Sequence, residues 1–351
     1  MTNPHQPPTA HHDPSGMWRH IASFGEQLIT EWHRTTELHL PTRRPPAQLL
    51  IAATGGSAAA GDIVAALAAP ISQIPIFVVR GRQLPNFVDQ HTLVIVVSCS
   101  GNTAETLALY DDAWRRDTPI IAITRGGHLA QRCTQDNVPI WTFTTQAPPR
   151  AAIAYTLAPL LRILERLGLY LITTPTIEAA GRRCTILAQQ SATPNSPLAP
   201  IAAALPRHIP LILAGGHLAP LAERARNQLA ENAKLLAAAA TVPEATHNLV
   251  VGLHTHTSPT PWLLLTIAAQ NDPHQPYLQA IQTLAHQRHI PVHNLTIPGD
   301  TPFEQALAAL TTVDALSWHT AIARHIDPTP IPEIETIRQT LGQLPPTQIT
   351  T

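Results

Sequence analysis

Lysine is almost missing from this chain: among 351 residues there is one, Lys234, so 21 of the 22 lysines and arginines are arginine. That absence removes the phosphate loop of nucleotide hydrolases, because Lys234 follows no glycine-rich loop of that kind. Charge is scarce too. Only 13% of residues are charged and the formal net charge is −1, so no basic face offers itself to nucleic acid or to an anionic membrane surface. The three cysteines, Cys99, Cys133 and Cys184, are widely separated and fit no zinc or redox spacing. They point to a reducing compartment, and a cytoplasmic protein is the expectation. No apolar run approaches the ~20 residues of a membrane helix, and the polar, proline-rich start has no signal-peptide pattern. A small molecule is therefore the expected partner.

What is there begins with Leu93-Val94-Ile95-Val96-Val97, an apolar β-branched run that reads as a strand buried on both faces of a parallel sheet. It runs into Ser98-Cys99-Ser100-Gly101-Asn102-Thr103, where a helix should begin. A helix start presents unsatisfied N–H groups and a positive dipole end. Ser98, Ser100 and Thr103 add donors and Gly101 permits close approach, so the turn reads as a cradle for a phosphate monoester. A second such turn, Thr54-Gly55-Gly56-Ser57, follows the strand Leu49 to Ala53 and opens a small-residue helix, Ala58 to Leu67. Two turns of this kind predict adjacent parallel strands whose carboxyl ends share one crevice. The dinucleotide pattern is absent: no Gly-x-Gly-x-x-Gly follows Ile51, and no acidic residue ends the strand Ile76 to Val79.

The length suits two medium domains, and 44% apolar residues supply two cores. Proline marks the joints. Met1 to Pro14 reads as a disordered leader, Met17 to Thr35 as an amphipathic helix carrying Trp18, Ile21, Phe24, Leu28 and Trp32, and Pro41 to Pro46 as a stiff linker. Strands Ile120 to Thr124 and Ile140 to Phe143 complete a first parallel sheet, and a long helix is predicted from Arg150 to about Leu167. Thr193 to Pro200 reads as a linker, after which the alternation restarts. Strand Ile209 to Ala214, turn Gly215-Gly216-His217 and helix Leu218 to Lys234 lead to strands near Leu249 to Leu253, Trp262 to Ile267 and Pro291 to Ile297. Helices Phe303 to Ala323 and Ile331 to Leu341 close the chain. The fold class is α/β, two domains each a parallel sheet flanked by helices, with boundaries at 1–44 for leader and helix, 45–192 for the first domain and 200–344 for the second.

The second glycine turn lacks the hydroxyls of the first two, but its helix carries chemistry. Glu231 sits near the carboxyl end of an alanine-rich helix, where the dipole opposes a carboxylate and moves it toward a base poised nearer neutrality. His247, in Pro243-Glu244-Ala245-Thr246-His247-Asn248, lies in a turn before an apolar run, the address of a functional loop residue. A metal reading that joined His247 to His254 and His256 finds no carboxylate at suitable spacing, and no metal is expected.

These elements together resemble the bifunctional phosphoglucose/phosphomannose isomerases, built from two sugar isomerase (SIS) domains. The resemblance rests on Thr54-Gly55-Gly56-Ser57 with Gly61-Asp62, Ser98 to Thr103, Pro149-Arg150-Ala151-Ala152, Glu231-Asn232-Ala233-Lys234 and Pro243 to Asn248, in that order. It implies an aldose–ketose isomerase interconverting glucose 6-phosphate or mannose 6-phosphate with fructose 6-phosphate. By the same resemblance Ser57, Ser98, Ser100 and Thr103 hold the phosphate, with the Gly56 N–H. Glu231 shuttles a proton between C1 and C2, and Arg150 stabilises the enediolate. His247 assists ring opening from the partner subunit, so an obligate homodimer with a shared site is implied; neither metal nor organic cofactor is needed.

The chain departs from that pattern in places. Arg338 stands where relatives carry a lysine that assists ring opening, and a guanidinium supplies charge without exchanging protons. Ala58, Cys99 and Leu249 replace a usual glycine, tyrosine and glutamate. The residues leave one alternative open, a catalytically weak sugar-phosphate-binding protein of the same superfamily used for sensing.

Overall fold

The computed structural model describes residues 12–41, 45–193, 196–253 and 261–342. Helices α1 (Met17–Ala22) and α2 (Phe24–Arg34) precede a first alternating run: β1 (Gln48–Ala53), α3 (Gly55–Ala68), β2 (Ile76–Val79), β3 (Thr92–Ser98), α4 (Ala104–Arg115), β4 (Ile120–Thr124), α5 (Gly127–Gln135) and β5 (Ile140–Thr142). Helices α6 (Ala154–Arg166), α7 (Thr174–Ser191) and α8 (Leu198–Ala204) lead to the second run. It comprises β6 (Ile209–Gly215), α9 (Ala219–Ala233), β7 (Ala238–Val242), α10 (Leu249–Gly252), β8 (Trp262–Ala269), α11 (Gln275–Gln287), β9 (Val292–Ile297), α12 (Pro302–Ala323) and α13 (Pro332–Gly342).

The strands form two sheets, β2-β1-β3-β4-β5 and β7-β6-β8-β9, and all paired neighbours are parallel. Helices cover both faces, which is why β3 is buried along its whole length and shows no polar alternation. Ala53 lies opposite Val97 in the β1–β3 register, so these two strands end level and their following turns open on one edge. One apolar cluster runs from α1 and α2 through both sheets to α12, and smaller clusters cover the other faces. Where α2 meets α7 the helices touch at Gly25, whose Cβ position lies 2.1 Å from Gly181 O; no side chain fits there.

Several expectations need correction. The single helix from Met17 to Thr35 is two: at Ser23 the side-chain Oγ donates to Arg19 O (2.7 Å) and the backbone leaves the helical region, which breaks the run. The leader, described from His12, ends in a fixed position, because buried Asp13 accepts from the Met17 and Trp18 amides and from Trp318 Nε1. The helix expected from Arg150 starts at Ala154, after a 3-10 turn over Pro149–Ala151. Leu198 to Ala204, half assigned to a linker, is α8.

The largest miss lies beside the second sheet. Leu249 to Leu253 is no strand: Asn248 Oδ1 accepts from the Leu249 amide (2.6 Å) and starts the short helix α10. The sheet edge is taken by β7, an alanine-rich run whose helix propensity yields to pairing with β6.

Candidate functional site

Both turns of the expected cradle lie at the level ends of β1 and β3. Thr54 and Thr103 occupy the N-cap positions of α3 and α4, and neither side chain caps its own helix. The first amides of both helices are thus left facing the crevice, as an anion site requires. Thr103 Oγ1 instead accepts from Ser98 Oγ at 3.3 Å. Ser57 Oγ accepts from the Cys99 amide (3.3 Å), which ties the two turns together. Ser98 Oγ accepts from the Gly101 amide and Ser100 Oγ from the Asn102 amide.

Gly101 is obligatory here, since its φ is +70° and a Cβ would lie 1.8 Å from Gly126 O. The β4–α5 turn backs the cradle further: Asn102 Oδ1 accepts from the His128 amide at 2.9 Å. Sequence reasoning passed over Asn102 as a buttress and over Gly126 and Gly127 altogether. The Gly-Gly dipeptide after β4 was the available signal.

Arg150 connects this cradle to the second half. Its backbone lies under Gly56, whose Cβ position is 3.2 Å from Arg150 Cα. Its guanidinium is 3% exposed and points the other way. Nε donates to Asn232 Oδ1 (2.7 Å), and Nη2 donates to the carbonyls of Pro328 and Thr329 (2.8 Å each). That leaves Nη1 facing Glu231 Oε2 at 3.7 Å, an ion pair without a hydrogen bond.

Burial raises the Glu231 carboxyl above its ordinary pKa, against the pull of Arg150, Arg224, Lys234 and Arg338. The expected direction holds, but desolvation is its leading cause. Burial likewise draws the Arg150 pKa down, while Glu231 and Asp327 favour the charged form.

A polar network behind this pair was missed in the sequence. Arg224, Gln228 and Asn232 lie four residues apart on α9 and face α12. Arg224 and Gln228 both donate to Asp314 Oδ1 (2.8 Å each), and Asn232 Nδ2 donates to Ser317 Oγ (2.9 Å). Burial raises the Asp314 pKa, countered by Arg224 and Gln228. Arg224 Nη2 also donates to Arg150 O (3.1 Å), so the network grips the same residue from both ends. Three polar residues spaced four apart, on the face of α9 that also carries the apolar Leu221, Ala225 and Leu229, were the signal to read.

Two expected residues stand apart. Arg338, 67% exposed on α13, pairs loosely with Glu335 (3.8 Å) and reaches Glu231 through its charge alone. His247 is exposed beyond β7, after a 3-10 turn over Glu244–Thr246, with its amide donating to Glu244 O. His254 and His256 lie outside the described residues.

Comparison with known proteins fits this arrangement. Residues 195–341 match the family model of the bacterial phospho-glucose isomerase C-terminal SIS domain, and residues 44–157 that of the SIS domain. The chain is 30% identical to a bifunctional phosphoglucose/phosphomannose isomerase of Caldicellulosiruptor bescii, over 85% of this chain and 90% of that protein. It is 27% identical to one of Aquifex aeolicus, over 76% and 81%. The crystal structure of tagatose-6-phosphate ketose/aldose isomerase from Escherichia coli shares the fold, with a TM-score of 0.70 at 15% identity over 92% of this chain and 95% of that one. The chain belongs to the bifunctional phosphoglucose/phosphomannose isomerase family.

Proposed function

We propose that the protein interconverts glucose 6-phosphate, mannose 6-phosphate or both with fructose 6-phosphate by proton transfer through an enediolate. The observation that carries this reading is the Glu231–Arg150 pair, a half-buried carboxylate 3.7 Å from a buried guanidinium whose backbone adjoins the anion cradle. With the sugar phosphate held by Ser57, Ser98, Ser100, Thr103 and the Gly56 amide, the open-chain carbons reach toward the end of α9. Glu231 takes the C2 proton of the aldose and returns it to C1, and burial favours this by raising its proton affinity. Negative charge then develops on the sugar oxygens, where Arg150 Nη1 is the guanidinium nitrogen not committed to Asn232 or to carbonyls.

Ring opening falls to His247 of a second copy, with Arg338 supplying positive charge. Two features support a homodimer with a shared site. His247 stands exposed and makes no hydrogen bond or ion pair with Glu231 of its own chain, and α13 presents Ile337, 60% exposed, and Leu341 to solvent. The relatives named above are enzymes and the Glu231–Arg150 pair is intact, so a purely sensing role is not favoured. A coupled assay with the three hexose 6-phosphates on purified protein tests the reading. Turnover of at least one aldose is expected, and binding of 6-phosphogluconate with no turnover of any would overturn it.

A further inference from the structure

The only lysine in the chain sits where a lysine is least comfortable. Lys234 ends α9 in the left-handed conformation, φ 50°, at a helix-terminal position that glycine usually fills. Its side chain folds back onto four carbonyl oxygens. Nζ donates to Glu231 O at 2.7 Å and Asn232 O at 3.4 Å, and across to Asp327 O at 3.3 Å and Pro328 O at 3.1 Å. Pro328 O is the same carbonyl that accepts from Arg150 Nη2. Two cations therefore hold one turn, Asp327 to Thr329, which leads into the helix carrying Arg338.

We propose that Lys234 is a positioning residue: its ammonium fastens the end of the Glu231 helix to the Asp327–Thr329 turn, and so keeps Arg150 aligned on the carboxylate. The proposal rests on the assignment of Glu231 and Arg150 to the reaction. An ammonium has three N–H donors for these carbonyls and a neutral amine has two, so the protonation state sets the strength of the fastening. Burial and the neighbouring Arg150 draw the Lys234 pKa down to about 8, with Asp327, Glu333 and Glu231 acting the other way. Arg324 completes the surroundings, with Nη1 donating to Ala233 O and Lys234 O. Raising the pH through about 8 removes the third donor and loosens the turn.

Because the chain has one lysine, protein labelled with 13C at lysine Cε gives one resonance that titrates with Nζ. The expected midpoint is about 8, and a midpoint near 10.5, that of a free lysine side chain, overturns the proposal. In the isomerase assay kcat should fall as pH rises through the same midpoint, with KM little changed, since the phosphate cradle is not part of the fastening. Lys234→Arg keeps its charge and should carry full kcat beyond pH 9; a profile superimposable on that of the parent overturns the proposal. Lys234→Met should lose at least tenfold in kcat at pH 7 with 6-phosphogluconate affinity within twofold. If that variant does not fold, the resonance and Lys234→Arg still decide. Parent protein with no turnover overturns the isomerase reading instead, and the substrate-free resonance tells the two failures apart.

Discussion

The β1–α3 and β6–α9 turns begin alike: each strand runs into two glycines, one of them left-handed, and then into a helix. Their surroundings differ. A Cβ at Gly55 would meet nothing within 4 Å, whereas Cβ positions at Gly215 and Gly216 fall 2.5 and 2.7 Å from the His274 ring. That ring is fixed by Asp272 Oδ1, which accepts from the His274 amide (2.8 Å) and lies 3.0 Å from Nδ1. In the second turn a side chain occupies the position that stays open beside Gly55 in the first. On the proposed reading the two halves use opposite ends of their helices: the amino-terminal amides of α3 and α4 for an anion, and Glu231 near the carboxyl end of α9.

The largest expected effect separates chemistry from binding. Glu231→Gln should lower kcat by about 10²–10⁴, the range for losing a positioned base, with 6-phosphogluconate affinity within twofold by calorimetry. An equal loss of binding would erase the division between the halves. Mixed with His247→Ala protein under subunit exchange, Glu231→Gln should regain part of the activity; no recovery in proven heterodimers would place both groups in one chain. Next come the glycines. Both positions carry left-handed strain; Gly101→Ala adds a backbone clash and should cost roughly 3 kcal/mol in urea denaturation, while Gly216→Ala meets a side-chain ring that can shift and should cost less. Equal costs would mean that the two halves hold their turns equally tightly.

Ser100→Ala with Thr103→Ala removes two donors to a charged group, roughly 1.5–3 kcal/mol each, and 6-phosphogluconate should bind at least tenfold more weakly. Unchanged affinity would take the ligand out of the first crevice. The smallest effect is expected from His274→Ala, which empties the second turn but supplies no hydroxyls. Its binding stoichiometry should stay at one phosphate ligand per chain, and a second site would show that the plug alone distinguishes the turns.

The first half was legible because its signals are local. Continuous β-branched runs specify buried parallel strands, so β1 to β5 lie within a residue or two of the expected bounds, and the hydroxyl- and glycine-bearing turns follow β1 and β3. The second half misled where local preference and tertiary demand part. Alanines in β7 favour helix yet pair with β6, and Leu249 to Leu253 reads as a strand yet is turned by Asn248. Glu231 was singled out by its place near the end of a helix and Arg150 by resemblance, and the partners that aim Arg150 were not, because Asn232, Pro328 and Thr329 meet it only after folding. Two of these three contribute main-chain carbonyls, which carry no mark in a sequence.

The grip on Arg150 also governs motion. Its carbonyl is held by Arg224 and its guanidinium by Asn232, Pro328 and Thr329, so a residue preceding α6 is bonded to α9 and to a turn of the second half. Swinging the halves apart about a hinge would strip a buried guanidinium of its partners, at a cost of several kcal/mol. Opening of the halves at this seam is therefore disfavoured while those bonds hold.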